Sequence, residues 1–569
     1  MDGATTLDLS LLLRRSRFFA FSLVGYDVLG PLSIVGLDGS STTASLLGAF
    51  TFRPNGDEHL TIEGFGAVAS DFRVGFGGLA AVGLPRGGRI SAKITVEHFR
   101  YQREQRFVAG VDVPWDRFAA YGGAIAGEGY AGRPGFYAGA VVGERPVESL
   151  PGFRFVHEIV APRRIDSEVL VELIERLQRA ANDRRVRGVL LRVETSDLEL
   201  AYAQEIRQSI ETIRAAGKPV VCSVEASGVA AFYACTAADR TLVGQSVDVH
   251  LVQSESDVVS LEELFAEATI EADFVVSATA HANVAVLALD RDLAARLEAD
   301  LSRSLGLSPD RLIALGSAGP RDASAAVEAR LAHAVASESA LDEALEDVVD
   351  GRVRRRRSLG SFGSRSWAKP RRVGVVLIAG PLIDREDVGE RAGPDESASD
   401  AETVAAAIER LADDGAVRAI VLRVDSIGGS LLAAERIWRA VLDARQKKPV
   451  LASLGATATS GAYLIASACD EIFASPSTIT GGLGLIFARA ETAARTFQEF
   501  SEAERDALRA RLTMANRSFV EKIAEAREVR PDEVERHSGP ISGDRAVREG
   551  LVDRLGGFSA AVSHARALG

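Results

Sequence analysis

The segment Val186-Arg-Gly-Val-Leu-Leu-Arg-Val-Glu194 returns later in the chain as Val417-Arg-Ala-Ile-Val-Leu-Arg-Val-Asp425. Lys218-Pro-Val matches Lys448-Pro-Val in the same way, and Ala237-Ala-Asp239 matches Ala468-Cys-Asp470. The offset stays at about 230 positions for all three pairs, which marks a duplicated structural unit rather than a chance match. Within the first copy, the apolar run Val186–Val193 precedes a helical pattern over Ala201–Ala215, and a second apolar run, Pro219–Val224, follows. Apolar runs alternating with helices build parallel sheets, because a crossover must carry the chain back before it can pair in parallel. The expected fold is therefore α/β with parallel sheets in two copies, at 156–350 and 373–569.

Residues 1–155 follow another rule. Ile90, Ala92, Ile94 and Val96 alternate with Arg89, Ser91, Lys93, Thr95 and Glu97, the period of a strand with two unlike faces. Similar stretches occur at His59–Phe65 and Phe72–Leu79, with turns such as Asn55-Gly56-Asp57. A β-rich domain of meandering antiparallel strands is the simplest account, read first as a soluble sheet. A small membrane barrel carries the same alternation.

Between the copies, residues 351–372 hold Arg352, Arg354 to Arg357, Arg365, Arg371 and Arg372 among Ser and Gly. They read as a solvated linker, with an anionic membrane surface or an acidic partner as the sharper alternative. A second loop, 384–400, is acidic and bears Gly and Pro. No run reaches the roughly 18–20 apolar residues of a spanning helix, and the first residues lack the pattern of a secretory signal.

At 569 residues the chain exceeds one hydrophobic core. Its net charge of −13 excludes general nucleic-acid binding, which needs cations to neutralise phosphates. Cys222, Cys235 and Cys469 have no metal-ligand spacing and cannot all pair, so they are expected as buried apolar residues without a disulfide framework. No metal or cofactor site is expected.

The chemistry concentrates in the second copy. The strand 419–424 runs into Asp425-Ser-Ile-Gly-Gly-Ser430, and glycines at such a strand-to-helix turn let backbone N–H groups approach a ligand. The next strand, 450–454, leads to Thr459-Ser460-Gly461-Ala462-Tyr463, which places a serine hydroxyl at a helix start; a plain N-cap is the other use of such a serine. Ser475-Pro-Ser-Thr-Ile-Thr-Gly-Gly-Leu-Gly484 is a Gly- and Thr-rich segment suited to the edge of a cleft.

In order and spacing these three segments resemble the signal peptide peptidase A (protease IV) family, as do Ser542-Gly-Asp-Arg-Ala546 and Gly550-Leu-Val-Asp553. The resemblance is strong over about 375–569, weak over 156–350, and does not reach 1–155. It implies tandem Clp/crotonase-like domains that cleave signal-peptide remnants or short apolar peptides, assembly into a homo-oligomer, and a place in the cell envelope or at a membrane; the missing anchor leaves the cytoplasm as the alternative. It also implies Ser460 as nucleophile, with Gly428, Gly429 and Gly461 forming the oxyanion hole. Ile427 departs from the proline usual there.

A serine hydroxyl needs a base, and the family's base is a lysine contributed by the first copy. The corresponding segment here, Phe274-Val-Val-Ser-Ala-Thr-Ala-His-Ala-Asn283, has none. The chain has six lysines, Lys93, Lys218, Lys369, Lys447, Lys448 and Lys522, and none sits in a suitable place. His281, at or next to the lost lysine, is the candidate substitute. Val229 stands where Ser460 stands in the second copy, so the first copy is expected to be inactive. Three functions stay open: a serine peptidase with an altered base, a peptide-binding scaffold that has lost hydrolysis, and a crotonase-like acyl-thioester enzyme.

Overall fold

The computed structural model describes residues 9–14, 18–26, 45–54, 60–69, 74–83, 89–99, 102–128, 135–147, 154–183, 185–251, 270–274, 279–357, 359, 372–384, 398–484, 487–490 and 501–568. The chain forms two compact units, one built mainly from residues up to Arg154, the other from Phe155–Ser358 together with Arg371–Gly569.

The first unit is an antiparallel meander of eight strands paired in chain order. They are β1 (Leu9–Arg14), β2 (Phe19–Tyr26), β3 (Ser45–Phe52), β4 (Leu60–Ala69), β5 (Val74–Gly83), β6 (Arg89–Phe99), β7 (Gln102–Glu128) and β8 (Gly135–Val147). The alternation in β6 does produce two faces, but apolar side chains are exposed on one of them: Ile90 and Ile94 are each 50% exposed, while Val96 on the same side is 8% exposed. Exposure of those isoleucines departs from the usual half-buried sheet, whose apolar side is packed on a core.

The second unit holds two parallel sheets. The first has the order β14-β12-β11-β10-β9-β15, with β9 Phe155–Ala161, β10 Val186–Val193, β11 Val220–Val224, β12 Arg240–Gly244, β14 Ala334–Ala336 and β15 Arg355–Arg356. The second has β16 (Arg372–Ala379), β19 (Val417–Ser426), β20 (Val450–Thr459), β21 (Glu471–Ala474) and β25 (Arg554–Leu555) in that order, while β22 (Ile479–Gly481) bridges β20 to β24 (Pro540–Ser542). Two small pairs complete the set: β17 (Leu382–Ile383) with β18 (Ser399–Asp400), and β13 (Ile270–Phe274) with β23 (Phe487–Ala490). The apolar runs form these strands because helices cover both faces; β10 and β19 are buried at nearly every position.

The repeated motifs serve as scaffold. Lys218 donates to the carbonyls of Ala180 at 2.8 Å and Asp183 at 2.6 Å, closing the end of the helix Ser167–Asn182. Lys448 does the same after the helix Ala401–Asp413, donating to Leu411 O at 2.8 Å and to Asp414 O. Asp239 accepts the Val220 N–H and Asp470 the Val450 N–H, both at 2.8 Å. Arg214 and Arg445 clamp those two aspartates in turn. Cations at helix C-termini complement the carbonyl dipoles, which explains why Lys-Pro-Val recurs where no chemistry happens.

The halves meet along the helix Leu200–Ala215, which is buried at ten of its sixteen positions. Gln204 exchanges two hydrogen bonds with Ser477, both 2.8 Å, and Glu205 pairs with Arg423 of β19 at 2.7 Å.

Three expectations change. Cys222 of β11 and Cys235 of the helix Val229–Cys235 form a disulfide, leaving Cys469 free and buried. Part of the Arg-rich linker is sheet: β15 pairs with β9, Arg357 binds Glu158 at 2.8 Å and Arg355 binds Glu338 at 2.7 Å. Buried carboxylates such as Glu158 draw the arginines in. The residue at the N-cap of Val229–Cys235, the place Ser460 takes in the second half, is Gly228 rather than Val229. Most of the rest of the linker, the acidic stretch 385–397 and the turn 55–57 lie outside the described residues.

His157 of β9 is buried and hydrogen-bonded through Nδ1 to Arg356 O at 2.9 Å. Burial lowers its pKa below the ordinary 6.5, against the opposing effect of that hydrogen bond. The unfolded chain therefore takes up the proton more readily, and stability falls as pH drops below about 6.5. Urea midpoints at pH 7.5 and 5.5 are expected to differ less in His157→Gln than in the parent chain.

Candidate active site

β20 ends at Thr459; Ser460 follows with φ 53° and ψ −122°, and the helix Gly461–Ser467 begins at the next residue. That conformation belongs to the first corner of a tight turn normally given to glycine, and holding a side chain there costs about 1–3 kcal/mol. Strand, sharp corner and helix together lift the hydroxyl away from the sheet beside the first turn of a helix, as in a nucleophile elbow. Ser460 is half-buried, not sealed in the core. Its N–H donates to Gly481 O at 3.2 Å, and its hydroxyl donates to Gly484 O across a long 3.4 Å.

The facing wall is the turn after β19. Gly428 has φ 102° and Gly429 φ 145°. A Cβ on Gly428 would stand 3.1 Å from both Ser460 Cβ and the Gly461 nitrogen, and one on Gly429 would stand 2.4 Å from Leu382 O. Only glycine fits either place. Gly428 N–H donates to Ser426 Oγ at 3.0 Å, while Leu382 ties the turn by donating to Gly428 O and accepting from Ser430 N–H, both at 2.8 Å. Gly428 thus shapes the turn, its own donor being occupied. Among the described residues the Gly429 N–H has no acceptor. The Gly461 N–H, in the first helical turn, has none within its helix. Two available amides beside one hydroxyl are the donors that a developing oxyanion needs.

The support beneath this turn comes partly from the first half. Asp425 accepts the Thr457 N–H at 3.1 Å and a hydrogen bond from the Tyr202 hydroxyl. Burial, and then the Asp425 charge, push the Tyr202 pKa up, so its hydroxyl stays a donor. Gly455 leaves the space for this carboxylate, since a Cβ there would lie 2.3 Å from Asp425 Cγ. Nothing in the sequence pointed to Tyr202, which lies 223 positions from its partner. At the far end of the motif set, Asp553 accepts the Ile472 N–H at 2.7 Å and pairs with Arg527 at 2.7 Å, a scaffold role.

No described lysine reaches the Ser460 hydroxyl. Lys218 and Lys448 close helix ends, Lys447 pairs with Asp413 at 2.7 Å, Lys522 pairs with Glu435, and Lys93 stands over the Phe65 ring in the first unit. Lys369 lies outside the described residues, as does the side chain of His281, whose backbone is in the helix Thr279–Leu305. β13 pairs antiparallel with β23, Ile270 opposite Ala490 and Phe274 opposite Phe487. This pairing joins a strand of the first half to one of the second, and residues 275–278 lie outside the described residues. Ser542 also donates to Asp292 of the 279–305 helix at 3.2 Å, fixing that helix against β24.

The profile of Peptidase family S49 matches residues 443–494 and 489–569, a span that contains Ser460. Protease 4 of Haemophilus influenzae is 26% identical over 466 residues, covering 72% of this chain and 74% of that protein. Protease 4 of Salmonella typhi is 25% identical over 457 residues, covering 71% and 73%. The chloroplastic serine protease SPPA of Arabidopsis thaliana is 27% identical over 224 residues, covering 34% and 32%. The chain is similar to the signal peptide peptidase A family. The serine-peptidase class of this family gives the half-buried Ser460 and its neighbouring amides their context. The family name does not extend to a base, and among the described residues none touches the hydroxyl.

Proposed function

We propose that the chain is a tandem Clp/crotonase-like serine peptidase that hydrolyses short apolar peptides, with Ser460 as nucleophile and the Gly429 and Gly461 amides as oxyanion donors. The observation that carries this reading is the strained corner at Ser460, because backbone strain held beside available donors is typical of a functional site. An apolar rim supports the substrate class: Ile427 is 56% and Leu432 62% exposed on either side of the glycine turn. The base comes from the first half, and His281 is its titratable candidate.

The lack of a lysine at the hydroxyl among the described residues favours a second reading, a cleft that binds peptides without cutting them. A fluorophosphonate separates the two. The peptidase reading expects a covalent adduct mapped by mass spectrometry to Ser460, with labelling slowed at least ~100-fold in His281→Ala. An unlabelled Ser460 in a chain that still binds an apolar peptide would establish the scaffold. Full-rate labelling in His281→Ala would remove the histidine from the mechanism.

A further inference from the structure

The first unit exposes the wrong face for water. Leu11, Leu46, Phe50, Val82, Ile94 and Phe107 come from five different strands, and each is 49–51% exposed. The register places them on one side of the sheet: Leu46 lies opposite Val68, which lies opposite Val74, and Ile94 lies between Gly78 and Phe107. From Leu9–Leu13 of β1 to Phe107–Val111 of β7, the positions on that side are Leu, Phe, Ile, Val, Ala and Gly, except at one end, where His98 of β6 lies opposite Arg103 and Val96 opposite Gln105. The opposite side carries the polar groups. Thr51 donates to Glu63 at 3.0 Å, and the Lys93 ammonium sits 4.6 Å above the Phe65 ring.

We propose that this sheet is a lipid-facing surface, its apolar side set in the hydrocarbon of a bilayer. Strands β4, β5 and β6 are 10, 10 and 11 residues long, the ~9–11 residues that a tilted strand needs to cross. Their alternation of apolar and polar sides is that of a membrane barrel. Strand direction reverses at every step, so β1 and β8 are antiparallel, the relation required to close an even number of strands in lipid. A protein partner fits less well: interfaces carry roughly one hydrogen bond per 100–200 Å², and the polar positions on this side, His98, Arg103 and Gln105, are confined to one end of β6 and β7.

The test uses the full chain with single cysteines at 91 to 95, each labelled with an environment-sensitive fluorophore; Cys469 is buried and the other two cysteines are bonded to each other. With phosphatidylethanolamine–phosphatidylglycerol vesicles, the chain is expected to float with the lipid. Quenching by nitroxide-labelled acyl chains is expected to alternate, strong at 92 and 94 and weak at 91, 93 and 95. Ile94→Arg should lower the vesicle-bound fraction about tenfold or more, while Lys93→Arg leaves it unchanged. A flat quenching pattern would overturn the proposal. So would a chain that stays out of the lipid and cross-links to a second copy through Ile94→Cys. Fluorophosphonate labelling of Ser460 in Ile94→Arg should match the parent, so this surface and the peptidase reading stand or fall separately.

Discussion

Ser460→Ala is expected to lower kcat/KM for an apolar peptide by about 10³-fold or more, because the amides left behind can bind a transition state but cannot attack a carbonyl. Ser460→Gly should be equally inactive. The two variants should nonetheless differ in stability. Alanine keeps the cost of a side chain at φ 53°, whereas glycine adopts that corner without steric penalty. Ser460→Gly should therefore unfold at higher denaturant, by about 1 kcal/mol relative to Ser460→Ala. Retention of a rate within tenfold of the parent by Ser460→Ala would mean that the hydroxyl is not the nucleophile. Equal stability of the two variants would mean that the corner is not strained.

The second large effect is expected at the joint between the halves. Arg423 is fully buried in β19, and its partner Glu205 is 2% exposed. Burial works against the guanidinium charge, and Glu205 followed by Asp425 outweighs it. Arg423 also donates to Ser167, Ser453 and the Leu454 carbonyl, each at 3.2 Å. Glu205→Ala leaves this cation without its counter-charge, and about 3–5 kcal/mol of stability should be lost in urea unfolding. Replacing both members, Glu205→Leu with Arg423→Met, should recover most of that loss, since a packed apolar pair avoids the desolvation cost. Peptidase activity should drop in the single variant beyond what unfolding explains, because β19 runs directly into Asp425 and the glycine turn. A cost below ~1 kcal/mol would show that the halves are held together elsewhere.

The sequence made the repeat legible because its motifs are short, local and chemically stereotyped: apolar strands, a lysine at a helix end, an aspartate that accepts a strand N–H. The turn at Gly428 and Gly429 was legible for a similar reason, since only glycine tolerates those conformations. Long-range partners were not. Arg423 sits in an apolar strand whose pattern says nothing about a glutamate from the other half, and Tyr202 reads as one more helical residue. The alternation in β6 defined two faces correctly but could not say which medium touches which, so a solvated polar side was the natural assumption. Two cysteines thirteen positions apart also looked unrelated, because the helix that brings Cys235 back against β11 leaves no mark in their spacing.

That cross-link has a consequence for how the molecule can be handled. It closes a covalent ring within the half whose corresponding helix start carries Gly228 instead of a serine, a constraint on the order of 3 kcal/mol in chain-entropy accounts. Thiol reductants should loosen that half first, although Ser460 itself lies on a segment with no sulfur bond. Material prepared in a reducing cytosol would then differ from material matured where disulfides persist, and a comparison of the two preparations would measure how far the silent half supports its neighbour.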